Sequence, residues 1–266
     1  VSPASALQEQ VAALSWYQSI DLGEVTTPGD YDMGSALRHI PFPESLAGKR
    51  CLDVGTRDGF WAFEMERRGA AEVVAIDLTS QAEVDFPLPR PSLTPEVLAA
   101  LETRNDCFEL AHRTLQSGVD WRAVNVYDLD PDVVGLFDFA FIGTLLLHLR
   151  NPVDALAAIG GVLHPTGVLM SNNPVSLPLT VHQPKRPSAD ILMEPNRPFF
   201  YVPNVQGHLR MVEAAGFAVQ SSTRPYLFRY GEGWETRKVR LKRGGLAGQL
   251  IQRLGAPHTC VVAHPK

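Results

Sequence analysis

The chain has 266 residues, 45% of them apolar, which suits one enlarged α/β domain or one domain with a small cap. A net charge of −5 with a pI near 5.9 argues against a generic nucleic-acid binder. Cys51, Cys107 and Cys260 are odd in number and lack metal-ligand spacing; Cys51 and Cys260 lie in apolar runs and are expected as buried thiols in a reducing compartment. With no leader-like segment and no membrane-length apolar run, the expected setting is cytoplasmic, without a membrane partner.

Leu7, Val11 and Leu14 recur at helical intervals and predict a first helix within Ser5–Ser19. It runs into SWYQSIDLGEVTTPGDYD, where Trp16, Tyr17 and Tyr31 interrupt a loop punctuated by glycine and acids. Two readings stay open for these aromatics: a cover that shuts water out of a site, with substrate contacts, or anchors of the loop to the core. Ala36–Ile40 predicts a short helix. Residues 1–48 thus read as an N-terminal helical segment ahead of a main domain over 49–266.

The most informative stretch is KRCLDVGTRDGFWAFEMERRGAAEVVAID. Lys49–Val54 predicts a buried strand, Phe60–Arg68 a helix stopped by Gly69, and Glu72–Asp77 a second strand. Such a strand–turn–helix–strand unit ending in an acid is half of a nucleotide-binding α/β fold. Gly55 and Gly59 let the turn bring a ligand close to the helix N-terminus. Asp77, roughly 20 residues on, stands where such folds accept hydrogen bonds from ribose hydroxyls. Asp53 leads the turn; a carboxylate there repels phosphate and suits a ligand carrying an ammonium or sulfonium group.

Beyond Asp77, the proline-rich TSQAEVDFPLPRPSLTPE predicts an insertion loop, and Glu96–Leu115 a helix. Trp121–Val126 is the third expected strand, before Tyr127 and Asp128, the latter also a candidate N-cap before Pro131. Phe137–Ile142 predicts a fourth strand, followed by Gly143, Thr144 and, one helical turn on, His148. Asp154–Leu163 predicts a helix stopped by HPTG, and Val168–Ser171 a fifth strand ending at Asn172 and Asn173. Residues 174–203 hold seven prolines and little periodicity, with His182, Lys185, Arg186 and Phe199–Tyr201; loops at this end of a sheet face the ligand crevice, so a substrate cap is expected. Asn204–Ala215 predicts a helix, Phe217–Ser222 a strand, and Thr259–Ala263 the last strand. The insertion 226–256 carries Arg229, Arg237, Lys238, Arg240, Lys242 and Arg243, either a solvated face or a phosphate contact.

DVGTRDG resembles motif I of the class I S-adenosylmethionine-dependent methyltransferases, commonly D/E-x-G-x-G-x-G, with Arg57 where the middle glycine usually stands. FDFAFIGTLLLHLRNPVDAL resembles the fourth motif of that family, and NRPFFYVPN adds likeness to the branch that includes the tRNA wobble 5-hydroxyuridine (carboxy)methyltransferases. The likeness covers roughly Trp16–Thr223. It implies a Rossmann-like fold, a mostly parallel seven-stranded sheet with an antiparallel last strand, plus cap insertions. It implies S-adenosyl-L-methionine as cofactor, contacted by Asp53, Gly55, Thr56, Arg57, Gly59, Phe60 and Trp61. Asp77, Leu78 and Thr79 would flank the ribose and adenine, Val126, Tyr127 and Asp128 the adenine edge, and Gly143 and Thr144 the sulfonium end.

The function expected is metal-independent O-methylation of a hydroxyl on a sugar, nucleoside or secondary metabolite. Trp16, Tyr17, Tyr31, Asn173, Phe200 and Tyr201 are the candidate substrate contacts. His148 is the first candidate base, since an ordinary histidine pKa of about 6.5 suits proton removal near neutrality, and His182 is the second. Metal-dependent relatives place carboxylates at the ends of strands four and five; Gly143, Thr144, Asn172 and Asn173 stand there instead, so no catalytic metal is expected. A tRNA wobble-uridine modifier is the alternative. Asp30–Ala36 holds no base or tryptophan and Leu147 replaces a family tyrosine, so plain methyl transfer is preferred over transfer of a carboxylated group. A non-catalytic cofactor-binding module is the third reading.

Overall fold

The computed structural model describes residues 3–79, 83–88, 105–193, 197–234 and 254–266. The start of the helix expected from Glu96, and Arg237, Lys238, Arg240, Lys242 and Arg243, lie outside the described residues.

Strand β1 (Arg50–Val54) is the centre of an eight-stranded sheet. β2 (Glu72–Asp77) pairs with it in parallel on one side, and β3 (Asp120–Ala123) lies beyond. On the other side come β4 (Phe137–Gly143) and β5 (Leu163–Pro174), also parallel. The chain therefore reverses its direction of build between β1 and β4, and the crevice for a ligand opens at their carboxyl ends. Cys51–Val54 and Phe139–Ile142 are buried on both faces, as parallel strands covered by helices must be.

Two apolar layers do the covering. On one face lie helix α1 (Pro3–Ala12), helix α2 (Met33–Leu37), helix α3 (Phe60–Arg67) and helix α4 (Asp106–Leu115), contributing Val11, Met33, Trp61, Phe63 and Phe108. On the other face lie helix α5 (Pro131–Val134) and helix α6 (Pro152–Gly161), contributing Val134, Leu156 and Ile159. The late part of the chain adds helix α7 (Leu177–His182), a hairpin of β6 (Ala189–Ile191) with β7 (Tyr201–Pro203), and helix α8 (Val205–Ala214). β8 (Phe217–Ser222), β9 (Tyr226–Arg229) and β10 (Gly255–Pro265) complete the sheet, with β10 antiparallel to β5, β8 and β9.

The expected α/β class and sheet are observed, and four local expectations change. The first helix stops at Ala12, because Trp16 folds back and donates from Nε1 to the Val11 carbonyl at 2.9 Å. Most of residues 13–32 is an ordered loop rather than helix. HPTG does not separate helix from strand: β5 already begins at Leu163, with an irregular register opposite Phe137–Phe139. The proline-rich cap contains α7, whose start is capped by Ser176, and the β6–β7 hairpin. An eighth strand appears within the basic insertion. Ser222 pairs with Val261 and Tyr226 with His258, so β8 and β9 are one edge interrupted by a bulge at Thr223–Pro225.

The loop after α1 is stitched to both halves of the crevice. Backbone N–H groups of Tyr17 and Gln18 donate to Asp58, and Asp32 N donates to the Arg229 carbonyl. Asp32 also caps α2 by accepting from Ser35 N at 2.9 Å.

Candidate active site

The first wall is the motif I turn. Gly55 and Gly59 have φ of 71° and 101°, and Arg57 also adopts a left-handed φ of 58°. The middle position thus keeps a glycine-like path although its residue is arginine. Gly55 cannot carry a side chain without moving Leu145, whose Cδ2 would lie 2.9 Å from an added Cβ. Its Cβ-free surface is what lets the turn approach the loop after β4. Gly55 N and Thr56 N donate to the Ile76 carbonyl, and Arg57 N donates to Asp77 Oδ2 at 2.9 Å. Asp77 Oδ1 accepts from Leu78 N at 2.7 Å, so this buried carboxylate organises both the turn and its own strand end. Thr79 beside it is exposed.

Asp53 is 1% exposed beside Phe141 in the strand register, and burial pushes its carboxyl up to about 7. Its Oδ2 and the neighbouring Thr56 Oγ1 are buried without a hydrogen-bond partner among the described residues. Asp58, also buried, accepts from Tyr17 N at 2.6 Å and Gln18 N at 2.8 Å. Gln18 Oε1 accepts from Phe60 N at 2.9 Å, so the N-terminal loop supplies the cap that Gly59 lacks at the start of α3. Trp61 packs on Phe141 with ring centroids 4.4 Å apart.

The second wall is the end of β3. Val126 is buried in a 3-10 turn over Val126–Asp128, capped by Asn125. Asp128 is exposed there and is not the cap before Pro131; Asp130 is, accepting from Asp132 N. The Tyr127 hydroxyl donates to Asp85 Oδ2 at 2.8 Å and accepts from Asn151 N. Asp85 also receives Arg150 N, tying the insertion after β2 to the loop after β4.

The third wall joins the ends of β4 and β5. Thr144, with φ of 56°, donates from N to the Asn172 carbonyl, and Gly143 is paired in register with Asn172. The Nδ1–H of His258 donates to the Ala256 carbonyl, which leaves Nε2 to accept from Thr144 Oγ1 at 3.2 Å. Burial pulls His258 down to about 4, so it is neutral at physiological pH. Asn172 Oδ1 accepts from the Tyr226 hydroxyl at 2.5 Å, while Asn172 Nδ2 and both polar atoms of Asn173 are buried without partners among the described residues. His148 lies half-buried in a 3-10 turn over Leu146–His148, and its Nδ1–H donates to the Pro198 carbonyl at 2.8 Å. The basic ring nitrogen is therefore Nε2.

No family model matches the chain. It is 25% identical to a tRNA U34 carboxymethyltransferase of Geobacter sp. (strain M21), over 68% of this chain and 48% of that protein. It is 29% identical to a ubiquinone biosynthesis O-methyltransferase of Xanthomonas euvesicatoria pv. vesicatoria, over 54% of this chain and 53% of that one. Among solved structures, the N-terminal domain of EvdMO1 with SAH bound aligns with a TM-score of 0.52 and 14% identity, covering 100% and 98% of the two chains. These likenesses support a class I S-adenosylmethionine-dependent methyltransferase. The chain spans about half the length of these curated relatives. The [4+2]-cyclase SpnF aligns as well, with a TM-score of 0.53, 20% identity, and 98% and 93% coverage, so the fold alone does not specify methyl transfer.

The crevice fits the methyltransferase cofactor. Asp77 offers a buried carboxylate for hydroxyls, Asp53 an unpartnered carboxylate oxygen for a cation, and the motif I turn a surface free of Cβ atoms at Gly55. Tyr127 and Asp128 sit in the turn after β3, the former held by Asp85. Of the candidate substrate residues, Tyr17 and Tyr31 meet edge to face at 5.0 Å, and Tyr31 also packs on Phe228 and Tyr230. Trp16 and Phe200 are 3% exposed and belong to the core, so anchoring is their part. Tyr201 is half-buried in β7, and His182 is exposed at the end of α7, away from any buried site. Sequence reasoning missed Asp58, Gln18, Tyr226 and His258, whose roles come from long-range pairing. Asn172 was visible at the strand end; its orientation was not.

Proposed function

We propose that this methyltransferase transfers a methyl group from S-adenosylmethionine to a hydroxyl of a small molecule, without a metal. One observation carries the reading. Among the described residues, the buried polar atoms Asp53 Oδ2 and Thr56 Oγ1 at the carboxyl end of β1, and Asn172 Nδ2 near that of β5, have no hydrogen-bond partner. Folded proteins leave few such atoms, and a polar ligand seated at the switch point would satisfy them.

When bound, the cofactor supplies an electrophilic methyl on a sulfonium. The protein's part is to hold, orient and deprotonate. Asp77 would take the ribose hydroxyls, with Val126, Tyr127 and Asp128 beside the adenine and Gly143 and Thr144 toward the sulfonium. Holding an acceptor oxygen in line can supply on the order of 7–11 kcal/mol of the barrier reduction. His148 Nε2 would take the hydroxyl proton, its ring orientation set by the Pro198 carbonyl. The N-terminal loop, pinned by Asp58 and Gln18, would exclude water. The groups at the ends of β4 and β5 are neutral amides and a hydroxyl, a poor donor set for a hard divalent cation.

The test is to incubate the protein with cell metabolites and labelled S-adenosylmethionine, then search by mass spectrometry for species that gain one CH2. A cofactor that binds while no metabolite or RNA is methylated would overturn the reading. The Geobacter relative's name supports a second reading, modification of the tRNA wobble uridine. The net charge of −5 weighs against it. Nucleic-acid absorbance in the purified protein, with label passing to tRNA, would favour it.

A further inference from the structure

The bulge between β8 and β9 opens a groove of about 520 Å³ whose walls include His39, Arg224, Tyr226 and Arg229. The groove brings two cations together, where most other described arginines are held in ion pairs. Arg50, Arg68, Arg122, Arg150 and Arg210 each pair with a carboxylate. Arg224 and Arg229 are exposed and make no ion pair among the described residues.

Tyr226 is a shared wall between this groove and the active site. Its ring stacks on His39 at 5.1 Å with planes 20° apart, and its hydroxyl reaches Asn172. Asn172 is 1% exposed, its Nδ2 is an orphan donor, and its carbonyl receives Thr144 N. One tyrosine side chain therefore separates two unpaired guanidinium groups from an unsatisfied amide at the end of β5. We propose, resting on the methyl-transfer reading, that the acceptor is an anionic small molecule. Its phosphate or carboxylate lies on Arg224 and Arg229, and an oxygen near its reacting hydroxyl accepts from Asn172 Nδ2. The groove's size is that of a small-molecule site, which lies within about 300–1,000 Å³. A polynucleotide would need a longer basic track than the groove's described residues supply.

The test uses calorimetry on the full chain, with inorganic phosphate, citrate and S-adenosylhomocysteine as probes. Saturable phosphate or citrate binding is expected, weakened about tenfold or more in Arg224→Gln/Arg229→Gln, because charge-assisted hydrogen bonds are lost. The charge-retaining Arg224→Lys/Arg229→Lys protein should keep most of that binding, and S-adenosylhomocysteine affinity should be the same in all three. Preference for phosphate over citrate assigns the phosphate class, and the reverse the carboxylate class. Anion affinity that is absent, or equal in the wild type and the glutamine variant, overturns the proposal. So does tRNA that binds with a steep salt dependence through these arginines while neither small anion binds. Failure of S-adenosylhomocysteine itself to bind would instead strike the methyl-transfer reading.

Discussion

The proposed cofactor contact at Asp53 predicts an affinity that depends on pH. The Asp53 carboxyl is raised from 3.8 to about 7 by burial, which outweighs the opposing pull of Thr56 and the Ala62 backbone, and its Oδ2 has no partner within hydrogen-bond distance among the described residues. With that pKa the group is about 9% ionised at pH 6 and about 91% at pH 8, a ratio near tenfold. If a cationic ligand needs the ionised form, its affinity rises by about tenfold, or about 1.4 kcal/mol, across that window. Binding near pH 7 then releases about half a proton from this site. Titrating S-adenosylmethionine calorimetrically at several pH values, in buffers of different ionisation enthalpy, measures both quantities. Comparison with Asp53→Asn removes the ligand's own titration. The same shift has a sign for stability. The folded state holds the proton more tightly, so the ligand-free protein loses stability as pH rises from about 4 to about 7 and is level above, by up to about 4 kcal/mol. Asp53→Asn should remove that slope in urea unfolding. Parallel wild-type and variant curves, in binding and in unfolding, would refute the reasoning.

Three further outcomes are expected. Once an acceptor is identified, His148→Ala should lower kcat by about 10²–10⁴ and leave cofactor affinity nearly unchanged by calorimetry; a folded variant with normal kcat removes it from the mechanism. Gly59→Ala should destabilise the fold by about 2–4 kcal/mol in denaturant melts. Its φ is 101°, and the new Cβ would lie 2.5 Å from Phe63 Cε2 and 2.7 Å from Phe108 Cδ2. Turnover should survive excess EDTA, and activity lost on chelation but restored by magnesium would contradict the metal-free reading.

Elements whose logic is local were legible in the sequence. β2 and β8 run over the expected residues because their apolar pattern is bounded by a glycine or an acid. The motif I turn was legible too, although only the structure shows that Arg57 keeps a left-handed path. β9 was not legible: four residues whose pairing partner begins at Gly255 carry no strong local signal. Strand five was expected to end at Ser171, yet the ladder with β10 continues through Pro174. That extension puts Asn172 and Asn173 within the sheet, on opposite faces. Asn172 thereby meets Tyr226, while Ser171, on the face with Asn173, meets the buried His208 at 2.9 Å. His258 lies just before the expected last strand, Thr259–Ala263; antiparallel pairing beside β5 brings it to Thr144.

These misses share a location, and the location bears on how the proposed methyl transfer would select its acceptor. The central strands β1, β2 and β4 and the motif I turn form one half of the crevice, the proposed seat of the cofactor and the part the family motifs describe. The other half, the proposed seat of the acceptor, is built from the chain's two ends. Gln18 caps α3, the Asp30–Asp32 backbone pairs with Arg229 and Gly231, Tyr226 reaches Asn172, and His258 orients Thr144. Each contact crosses many residues, so substitutions at either end can reshape the acceptor pocket while Asp53 and Asp77 stay in place. That division gives a physical reason why one fold is found in proteins named as tRNA carboxymethyltransferase, ubiquinone O-methyltransferase and [4+2]-cyclase. It also makes Tyr226→Phe a discriminating change. The variant loses only the hydroxyl, leaves Asn172 Oδ1 without its donor, and keeps the stack on His39. Acceptor KM should rise, while S-adenosylmethionine affinity, set by the other half, should hold within about twofold, less than the cost of one hydrogen bond. Cofactor affinity that falls in step with acceptor affinity would show that the two halves are one site.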